Sequence, residues 1–274
     1  MRLLEGKAAV ITGSGRGIGR SVAKLFAQHG ARVVVNDLDE DCAQQVASEI
    51  CSEGEQAVAC PGNVTADDFP ERLMNTVISQ FGRLDIIVNN AGYTWDAVVH
   101  NMSDEAWDAM LAVHLTAPFR IIRAASSYLR ETAKQEIAKG ERVHRKIVNV
   151  SSVSGLAGSA GQFNYSAAKM GVVGMTKALA REWGRFNINV NAVAYGFIET
   201  RLTAVKEQGT RIRIGGREVD VGIPDAAREA FKQMIPLGRP GTPDEAAGPV
   251  LFLASPLSDY VSGIVLMVTG GSYM

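Results

Sequence analysis

Short apolar runs rich in β-branched residues alternate with longer segments of helical pattern along the chain. Seven runs have this character: residues 8–12, 31–36, 56–60, 84–90, 146–150, 188–194 and 263–268. Because they are continuously apolar rather than alternating with polar residues, they predict parallel strands covered on both faces. Strands separated by helices connect through right-handed crossovers. The pattern predicts an α/β fold with a doubly wound, mostly parallel sheet in three αβα layers.

Two segments depart from this alternation. Residues 130–145 are rich in charge and predict a helical extension with a solvated face. Residues 210–224 carry two alternating runs around Gly215 and Gly216, the composition of a two-residue hairpin turn. Closing that turn pairs residues 214 with 217, 213 with 218, 212 with 219 and 211 with 220. No linker or repeat divides the sequence, so residues 1–274 are predicted to form a single domain.

Composition narrows the range of partners. The 274 residues are 46% hydrophobic, which is enough for a substantial core. The 28 Lys and Arg residues are balanced by 29 Asp and Glu residues. Because the net charge is close to zero, no basic surface for nucleic acid or an anionic membrane is expected. A small-molecule substrate is the predicted partner.

The cysteines and the first residues indicate the compartment. Cys42, Cys51 and Cys60 fit neither a disulfide framework nor a metal-binding spacing, so they are expected to be reduced thiols and no metal is predicted. The chain enters its first apolar run without the pattern of a secretion signal, and no run reaches the roughly 20 residues of a membrane span. We therefore expect a cytoplasmic protein.

A glycine-rich loop, TGSGRGIG at residues 12–19, lies between the first apolar run and a helical pattern. In this context glycines allow a tight turn and a close approach of the backbone to a pyrophosphate, which the helix N-terminus stabilises. The loop predicts a dinucleotide site of the Rossmann type. Its predicted cofactor contacts are Gly13, Ser14, Arg16, Gly17, Ile18 and Gly19.

An acidic residue ends the second apolar run. Asp37 is placed where a carboxylate accepts hydrogen bonds from the adenosine ribose, with Leu38 beside it. No Lys or Arg lies among the neighbouring acidic residues 37–41 to bind a 2′-phosphate, so NAD is favoured over NADP. Arg16 in the glycine loop points the other way, since a guanidinium there could approach that phosphate.

Four motifs in order carry a family resemblance: TGSGRGIG, NNAG at 89–92, Ser152, and YSAAK at 165–169. With these motifs the sequence resembles the short-chain dehydrogenases/reductases over residues 5–272. Within that family it looks most like the 3-oxoacyl-acyl-carrier-protein reductases and 3-hydroxyacyl dehydrogenases, from GFIET at 196–200 and the C-terminal DYVSGIVLMVTGG. The same scaffold also hosts sugar, steroid and small-alcohol dehydrogenases.

Three residues predict the chemistry. Tyr165 and Lys169 are four residues apart on a predicted helix and therefore share a face. A nearby ammonium lowers the pKa of a phenol, so Tyr165 could exchange a proton with the substrate oxygen as hydride moves. Ser152 would donate a hydrogen bond to the developing alkoxide. The resemblance also implies that Lys169 holds the nicotinamide ribose.

The resemblance implies further cofactor contacts. Asn90, Ala91 and Gly92 would lie beside the adenosine and ribose, and Asn63 and Val64 would meet the adenine. Ile198 and Thr200 would secure the nicotinamide carboxamide. One departure from the family is Tyr195, which stands where a Pro-Gly pair is usual and puts the local backbone in doubt.

The stretch LAVHLTAPF places His114 where the family has the asparagine of its catalytic set. In the family that residue helps hold, through its main chain, a water that links the lysine to solvent. A main-chain role could survive the substitution, and an imidazole could also relay protons itself. Both alternatives, and a purely structural histidine in the core, remain open at this point.

These features predict an NAD-dependent oxidoreductase acting on a secondary alcohol or its ketone, with a 3-hydroxyacyl or 3-oxoacyl thioester as the candidate substrate. Residues 201–238, which include the hairpin, would form a substrate lid, a subunit-contact arm or a surface ornament. The alternatives are a sugar, steroid or small-alcohol dehydrogenase, or a dinucleotide-binding regulatory protein with impaired catalysis. The resemblance implies a homo-oligomer, a tetramer or a dimer.

Overall fold

A parallel sheet forms the centre of the protein, seen here in a computed structural model that describes residues 2–205, 211–214 and 217–273. Its strands are β1 (Ala8–Ile11), β2 (Arg32–Val35), β3 (Ala57–Ala59), β4 (Ile86–Asn89), β5 (Arg145–Ser152), β6 (Ile188–Tyr195) and β9 (Val265–Val268). They lie in the order β3-β2-β1-β4-β5-β6-β9, and every neighbouring pair is parallel. Each corresponds to one of the seven apolar runs, so the predicted doubly wound fold is confirmed.

Helices cover both faces of this sheet. They are α1 (Gly17–Gln28), α2 (Glu40–Ser52), α3 (Phe69–Phe81), α4 (Asp104–Leu111), α5 (Ala117–Ala138), α6 (Val153–Ala157), α7 (Phe163–Trp183), α8 (Asp225–Gln233) and α9 (Pro243–Ala254). Successive residues of β1 enter opposite cores: Ala9 and Ile11 pack with α1, α2 and α9, while Ala8 and Val10 pack with α3, α5 and α7. Burial on both sides explains why the strands are continuously apolar.

The predicted hairpin is present. Strands β7 (Arg211–Ile214) and β8 (Arg217–Asp220) are antiparallel, and their four pairs are the ones that the sequence predicts. The turn residues Gly215 and Gly216 lie outside the described residues. Val219 and Val221 are buried against Tyr93, Trp95 and Leu202, and this contact fixes the hairpin beside the end of β4.

Residues 130–145 agree with the predicted solvated helical extension over residues 130–138, which are helical and mostly exposed, and differ from it at their end. Helix α5 ends at Ala138, and Gly140 at φ 76° follows shortly after it. Arg145 begins β5 and is buried, because its guanidinium donates two hydrogen bonds to the Glu136 carboxylate, at 2.6 and 2.9 Å. Paired in this way, a charged residue is accommodated in the sheet.

One interruption in the helices bears on function. Between α4 and α5 the chain forms a π-helical turn, Ala112–Thr116, which contains His114. A single π turn inside a longer helix is often found at a functional site. It brings the imidazole of His114 toward the carboxyl end of β4.

The carboxyl ends of the strands determine where ligands bind. Strands β2 and β3 lie on one side of β1, and β4 and the following strands lie on the other. The strand order therefore reverses beside β1, and a crevice opens at this switch point. The loops after β1, β2, β3, β4, β5 and β6 all meet along that edge. Among the described residues, no helix is long and apolar enough to cross a membrane.

Candidate active site

A cavity of about 1320 Å³ opens along the carboxyl edge of the sheet. It is larger than the roughly 300–1,000 Å³ of ordinary small-molecule pockets, which leaves room for a dinucleotide and a substrate together. Its walls include every predicted site residue but Ser14: Gly13, Arg16, Gly17, Ile18, Gly19, Asp37, Leu38, Asn63, Val64, Asn90, Ala91, Gly92, His114, Ser152, Tyr165, Lys169, Ile198 and Thr200.

Ser14 is the exception because its side chain turns inward. It is fully buried, and its hydroxyl donates to the Ile11 carbonyl at 2.7 Å. The Ser14 hydroxyl oxygen in turn accepts from the backbone N–H of Asn36 at 3.1 Å. Its hydroxyl therefore joins the glycine loop to the end of β2 and does not reach the cavity, contrary to the contact that the sequence predicted.

The glycine loop is held against the end of β4. Asn90 donates from its side-chain amide to the carbonyls of Thr12 and Gly13, at 2.9 and 3.0 Å. A Cβ on Gly19 would lie 2.2 Å from the Gly13 carbonyl oxygen, so only glycine fits there. Asn90 lines the cavity and also fixes the shape of the loop.

The start of α1 suits a pyrophosphate. Arg16 occupies the N-cap without a side-chain cap hydrogen bond, and the first turn carries no acidic residue. The N–H groups of Gly17, Ile18 and Gly19 therefore meet no acceptor from a cap side chain, and these residues line the cavity. Free N–H groups and the helix dipole make this position a fitting one for the phosphates of a dinucleotide.

The acidic residues after β2 divide into two roles. Asp37 accepts from the backbone N–H groups of Gly15 and Asp39, at 3.0 and 3.1 Å, which holds its carboxylate at the cavity wall. Asp39 caps α2 and forms an ion pair with Arg16 at 2.7 Å. A hydrogen bond from Arg16 lowers the pKa of Asp39. The Arg16 guanidinium is therefore already paired.

Asn63 is committed in part to its own turn. Its Oδ1 accepts from the backbone N–H and from the hydroxyl of Thr65, at 3.0 and 2.9 Å. Its NH₂ group keeps its donor capacity beside the buried Val64. The two residues lie together on the cavity wall, and their contact with an adenine stays a prediction.

Ser152, Tyr165 and Lys169 come together where β5 ends and α7 begins. The Lys169 ammonium lies 5.5 Å from the Tyr165 ring centroid and donates to the Val150 carbonyl at 2.7 Å. Ser152 accepts from the backbone N–H of Ser154 at 3.2 Å, and its side chain hydrogen-bonds to Tyr165. Thus the three predicted catalytic side chains share one end of the cavity.

Burial controls protonation in this cluster. It raises the pKa of Tyr165 to about 12, and it lowers the pKa of Lys169 to about 7. Burial outweighs the hydrogen bond from Ser152, which acts in the opposite direction on Tyr165. The expected lowering of the Tyr165 pKa by Lys169 is therefore absent from this geometry, and the phenol is a proton donor at neutral pH.

His114 packs against Tyr165. Its ring meets the Tyr165 ring edge-on, with centroids 5.0 Å apart, and Nε2 lies 2.7 Å from the Tyr93 carbonyl oxygen. Nδ1 is buried without a hydrogen-bond partner among the described residues. Burial, reinforced by the charge of Lys169, brings the pKa of His114 well below its usual value. A Cβ on Gly92 would overlap this ring, at 2.2 Å from Cε1.

Tyr195, which stands where the family usually has a Pro-Gly pair, has a structural role in this protein. It is the last residue of β6, is buried, and donates from its hydroxyl to the Ala246 carbonyl in α9 at 2.7 Å. This bond secures the strand end from which Ile198 and Thr200 follow. Thr200 begins a short capped turn and lies close to Gly17, so the loop after β6 closes over the glycine loop.

Sequence reasoning missed a polar group on the cavity wall beside Ser152. Asp96, Ser154, Ser159 and Gln162 line the wall next to Ser152 and are joined by hydrogen bonds. The spacing of Gln162 three residues before Tyr165 was a usable signal, since it puts both residues at one helix start. Asp96 is 66 positions away from Gln162, and no local pattern indicates it.

A family model decides the relationship. The model described as enoyl-(acyl carrier protein) reductase matches residues 13–273. The protein belongs to the short-chain dehydrogenase/reductase family. The resemblance inferred from the four motifs is confirmed. The name of the model describes one activity within the family and does not assign that reaction to this chain.

Relatives of known description agree with this membership. The chain is 41% identical over 270 residues to a 3-oxoacyl-acyl-carrier-protein reductase of Thermotoga maritima, with 98% of each chain covered. It is 38% identical over 271 residues to the protein of the same description from Vibrio cholerae, with 99% of each covered. This short-chain dehydrogenase/reductase is thus an oxidoreductase similar to 3-oxoacyl-acyl-carrier-protein reductases.

A solved structure supports the same fold. It is a 7α-hydroxysteroid dehydrogenase complexed with NADH and 7-oxo glycochenodeoxycholic acid, with a TM-score of 0.85 and 29% identity. The match covers 98% of this chain and 95% of the other. The architecture of the short-chain dehydrogenase/reductase therefore extends over essentially the whole protein.

Proposed function

We propose that this oxidoreductase transfers hydride between NAD(H) and the 3-carbon of an acyl thioester, interconverting a 3-oxoacyl and a 3-hydroxyacyl group. The observation that carries the proposal is the grouping of Ser152, Tyr165 and Lys169 in one cavity with the glycine loop. The similarity to 3-oxoacyl-acyl-carrier-protein reductases supports the substrate class.

Ser152, Tyr165 and Lys169 would each have a separate role in ketone reduction. The nicotinamide ring supplies the hydride when the cofactor is bound. Tyr165, whose pKa burial raises to about 12, holds a proton and gives it to the substrate oxygen. Ser152 donates a hydrogen bond to the same oxygen. Lys169 places an ammonium or amine beside the phenol, where it would also bind the nicotinamide ribose.

The adenosine end supports NAD over NADP. Two backbone N–H groups fix the Asp37 carboxylate at the wall, where it would accept from ribose hydroxyls and repel a 2′-phosphate. Arg16 is the group that could bind that phosphate, and its charge is compensated by Asp39. The NADH bound to the similar hydroxysteroid dehydrogenase agrees with this assignment.

Residues 201–238 would form the lid over the substrate. Val219 and Val221 reach back to Tyr93 and Trp95 on the loop that follows β4. Arg211, Phe231 and Met234 of the same region line the cavity. The acyl chain of the substrate would therefore lie under this region, with its reacting carbonyl at Ser152 and Tyr165.

The assembly and the compartment are also proposals. Apolar side chains on α5 and α7, among them Phe119, Phe163 and Met170, are exposed. Burial of these side chains against a second copy would stabilise a homo-oligomer, a tetramer or a dimer, in the cytoplasm. Analytical ultracentrifugation of the purified protein checks the oligomeric state.

A panel of ketones tests the proposed reaction. NADH and NADPH oxidation is followed at one pH with a 3-oxoacyl thioester, a ketosteroid, a keto sugar and a small ketone, each over a concentration series. The highest kcat/KM is expected for NADH with the thioester. The ketosteroid is the second candidate, favoured by the similarity to the hydroxysteroid dehydrogenase. Binding of NADH without turnover on any ketone would favour a regulatory protein instead.

A further inference from the structure

Hydrogen bonds join the side chains of the polar group beside Ser152, and the backbone of Ser154 connects this group to Ser152. The Gln162 amide NH₂ donates to both carboxylate oxygens of Asp96, at 3.2 and 3.1 Å. The Gln162 carbonyl oxygen accepts from the Ser154 hydroxyl at 3.0 Å, and the Ser154 hydroxyl accepts from Ser159 at 2.9 Å. The backbone N–H of Ser154 then donates to the Ser152 hydroxyl oxygen at 3.2 Å.

This chain fixes the direction of each of its members. A carboxylate only accepts hydrogen bonds, so Asp96 sets the NH₂ side of the Gln162 amide and turns its oxygen toward Ser154. Because the Ser152 oxygen accepts from the backbone, its own hydrogen stays available for Tyr165 or for a substrate oxygen. The network therefore favours the one orientation of Ser152 that catalysis requires.

The two segments that carry the chain are also joined by their backbones. The N–H of Ala97 donates to the Gly161 carbonyl at 2.8 Å, and Ala97 forms an isolated β-bridge with Gln162. The loop after β4 and the turn before α7 thus form one wall of the cavity. The loop that carries Asp96 is therefore held directly against the residues that precede Tyr165.

We propose that Asp96, Gln162 and Ser154 form a positioning unit that orients Ser152 and places a negative charge beside the reacting phenol. The inference rests on the proposed function, because it concerns the same proton transfer. Asp96 and Gln162 are positioning residues and act through Ser152 and Tyr165.

The charge of Asp96 has a measurable consequence. It raises the pKa of Tyr165, in the same direction as burial. Lys169 and His114 also face the phenol, at 5.5 and 5.0 Å from its ring centroid, and belong to α7 and the π turn. Neither is altered in Asp96→Asn, so a difference between this variant and the wild type isolates the Asp96 carboxylate.

The test measures alcohol oxidation with NAD from pH 6 to 10, ketone reduction at pH 7, and the Kd of NADH by fluorescence. Asp96→Asn is expected to move the rise of kcat for oxidation to lower pH by about half a unit, a modest shift because water screens the exposed carboxylate. Since this window lies below the pKa of Tyr165, the shift appears as a kcat about threefold higher at each pH on the rising limb. Gln162→Met keeps the side-chain length without hydrogen bonds. It is expected to lower kcat for reduction about tenfold, because Ser154, whose backbone N–H holds the Ser152 oxygen, loses its side-chain anchor. Both variants should bind NADH as the wild type does.

Asp108→Asn, an exposed acidic position on α4, is the matched control and should superimpose on the wild-type profile. An unshifted profile in Asp96→Asn, or an unchanged kcat in Gln162→Met, would overturn the positioning unit while wild-type turnover upholds the proposed function. A weaker NADH affinity in step with the loss of kcat would also overturn it, since that result indicates a general structural role. No turnover by the wild type on any ketone would overturn both proposals.

Discussion

The imidazole of His114 contacts the phenol of Tyr165 edge-on, with ring planes 87° apart and centroids separated by 5.0 Å. Since the carbonyl oxygen of Tyr93 only accepts, the bond at 2.7 Å puts the hydrogen of the ring on Nε2. A carbonyl cannot pass a proton on. The geometry therefore favours a packing and main-chain role for His114 over a proton relay through the imidazole.

Two substitutions at this position separate the alternatives. His114→Asn is expected to retain activity, because an amide can donate to Tyr93 and fill part of the space beneath Tyr165. His114→Ala leaves the Tyr93 carbonyl unpaired and opens a cavity, so we expect kcat to fall about tenfold, equivalent to about 1.4 kcal/mol. Steady-state kinetics at several pH values check both. Full activity of the alanine variant would show that His114 is a core residue without a role in catalysis.

The buried imidazole should also make stability depend on pH. The folded state lowers the pKa of His114 well below 6.5, so below about pH 6.5 the unfolded chain binds more protons than the folded one. The free energy of unfolding therefore decreases as pH falls through this range, by at most about 1.4 kcal/mol per pH unit. His114→Asn removes this contribution, and its stability should change less between pH 7 and 5.

Guanidinium chloride unfolding at pH 5, 6, 7 and 8 measures the effect. His100→Asn, at an exposed histidine, is the control and should follow the wild type. Parallel pH dependences for the wild type and His114→Asn would contradict the prediction, because every other titrating group is common to both proteins.

Loss of the Ser152 hydroxyl should reduce the rate without weakening cofactor binding. Ser152→Ala removes the donor to the developing alkoxide, and such losses typically cost about 10²- to 10³-fold in kcat. Ser166→Ala is a close control, since its hydroxyl is buried one residue after Tyr165 without a hydrogen-bond partner among the described residues. Single-turnover reduction with bound NADH compares the two. Equal rates in both variants would remove Ser152 from the proposed mechanism.

The parts of the fold that the sequence predicts are those set by local patterning. The seven apolar runs identify the strands because a sheet buried on both faces requires apolar residues at every position. The hairpin register follows from alternation around two glycines, and all four pairs agree. Asp39, Glu40 and Asp41 mark the start of α2, where negative charge stabilises the helix dipole.

The remainder depends on contacts between distant residues. From its residue type, Arg145 would be expected at the surface. It is buried because the fold places the Glu136 carboxylate, nine positions away, against its guanidinium. The π turn at Ala112–Thr116 leaves no pattern, since one extra residue in a turn hardly changes apolar spacing. The pKa of Tyr165 was expected to fall, and burial makes it rise, because desolvation depends on the assembled site.

Release of Arg16 should broaden cofactor use. Asparagine caps helices as well as aspartate does, so Asp39→Asn keeps the start of α2 and removes the anion that pairs with Arg16. The freed guanidinium can then contact a 2′-phosphate, and we expect kcat/KM with NADPH to rise about tenfold, about 1.4 kcal/mol, with little change for NADH. Asp41→Asn, exposed in the same turn, is the control. An unchanged NADPH preference in Asp39→Asn would show that Asp37 alone excludes the phosphate.

The hairpin contact distinguishes a substrate lid from a surface ornament. Val221 is buried against the aromatic residues after β4, and Val221→Ser replaces this apolar contact with a hydroxyl. Burial of a valine side chain contributes about 1.5–3 kcal/mol, so a lid that loses this contact should show a KM for the ketone at least about tenfold higher. The Kd of NADH should stay within a factor of two. Val99→Ser, at an exposed valine, controls for the change of residue type. If NADH affinity and substrate KM deteriorate equally in Val221→Ser, the region supports the whole site and is not a lid.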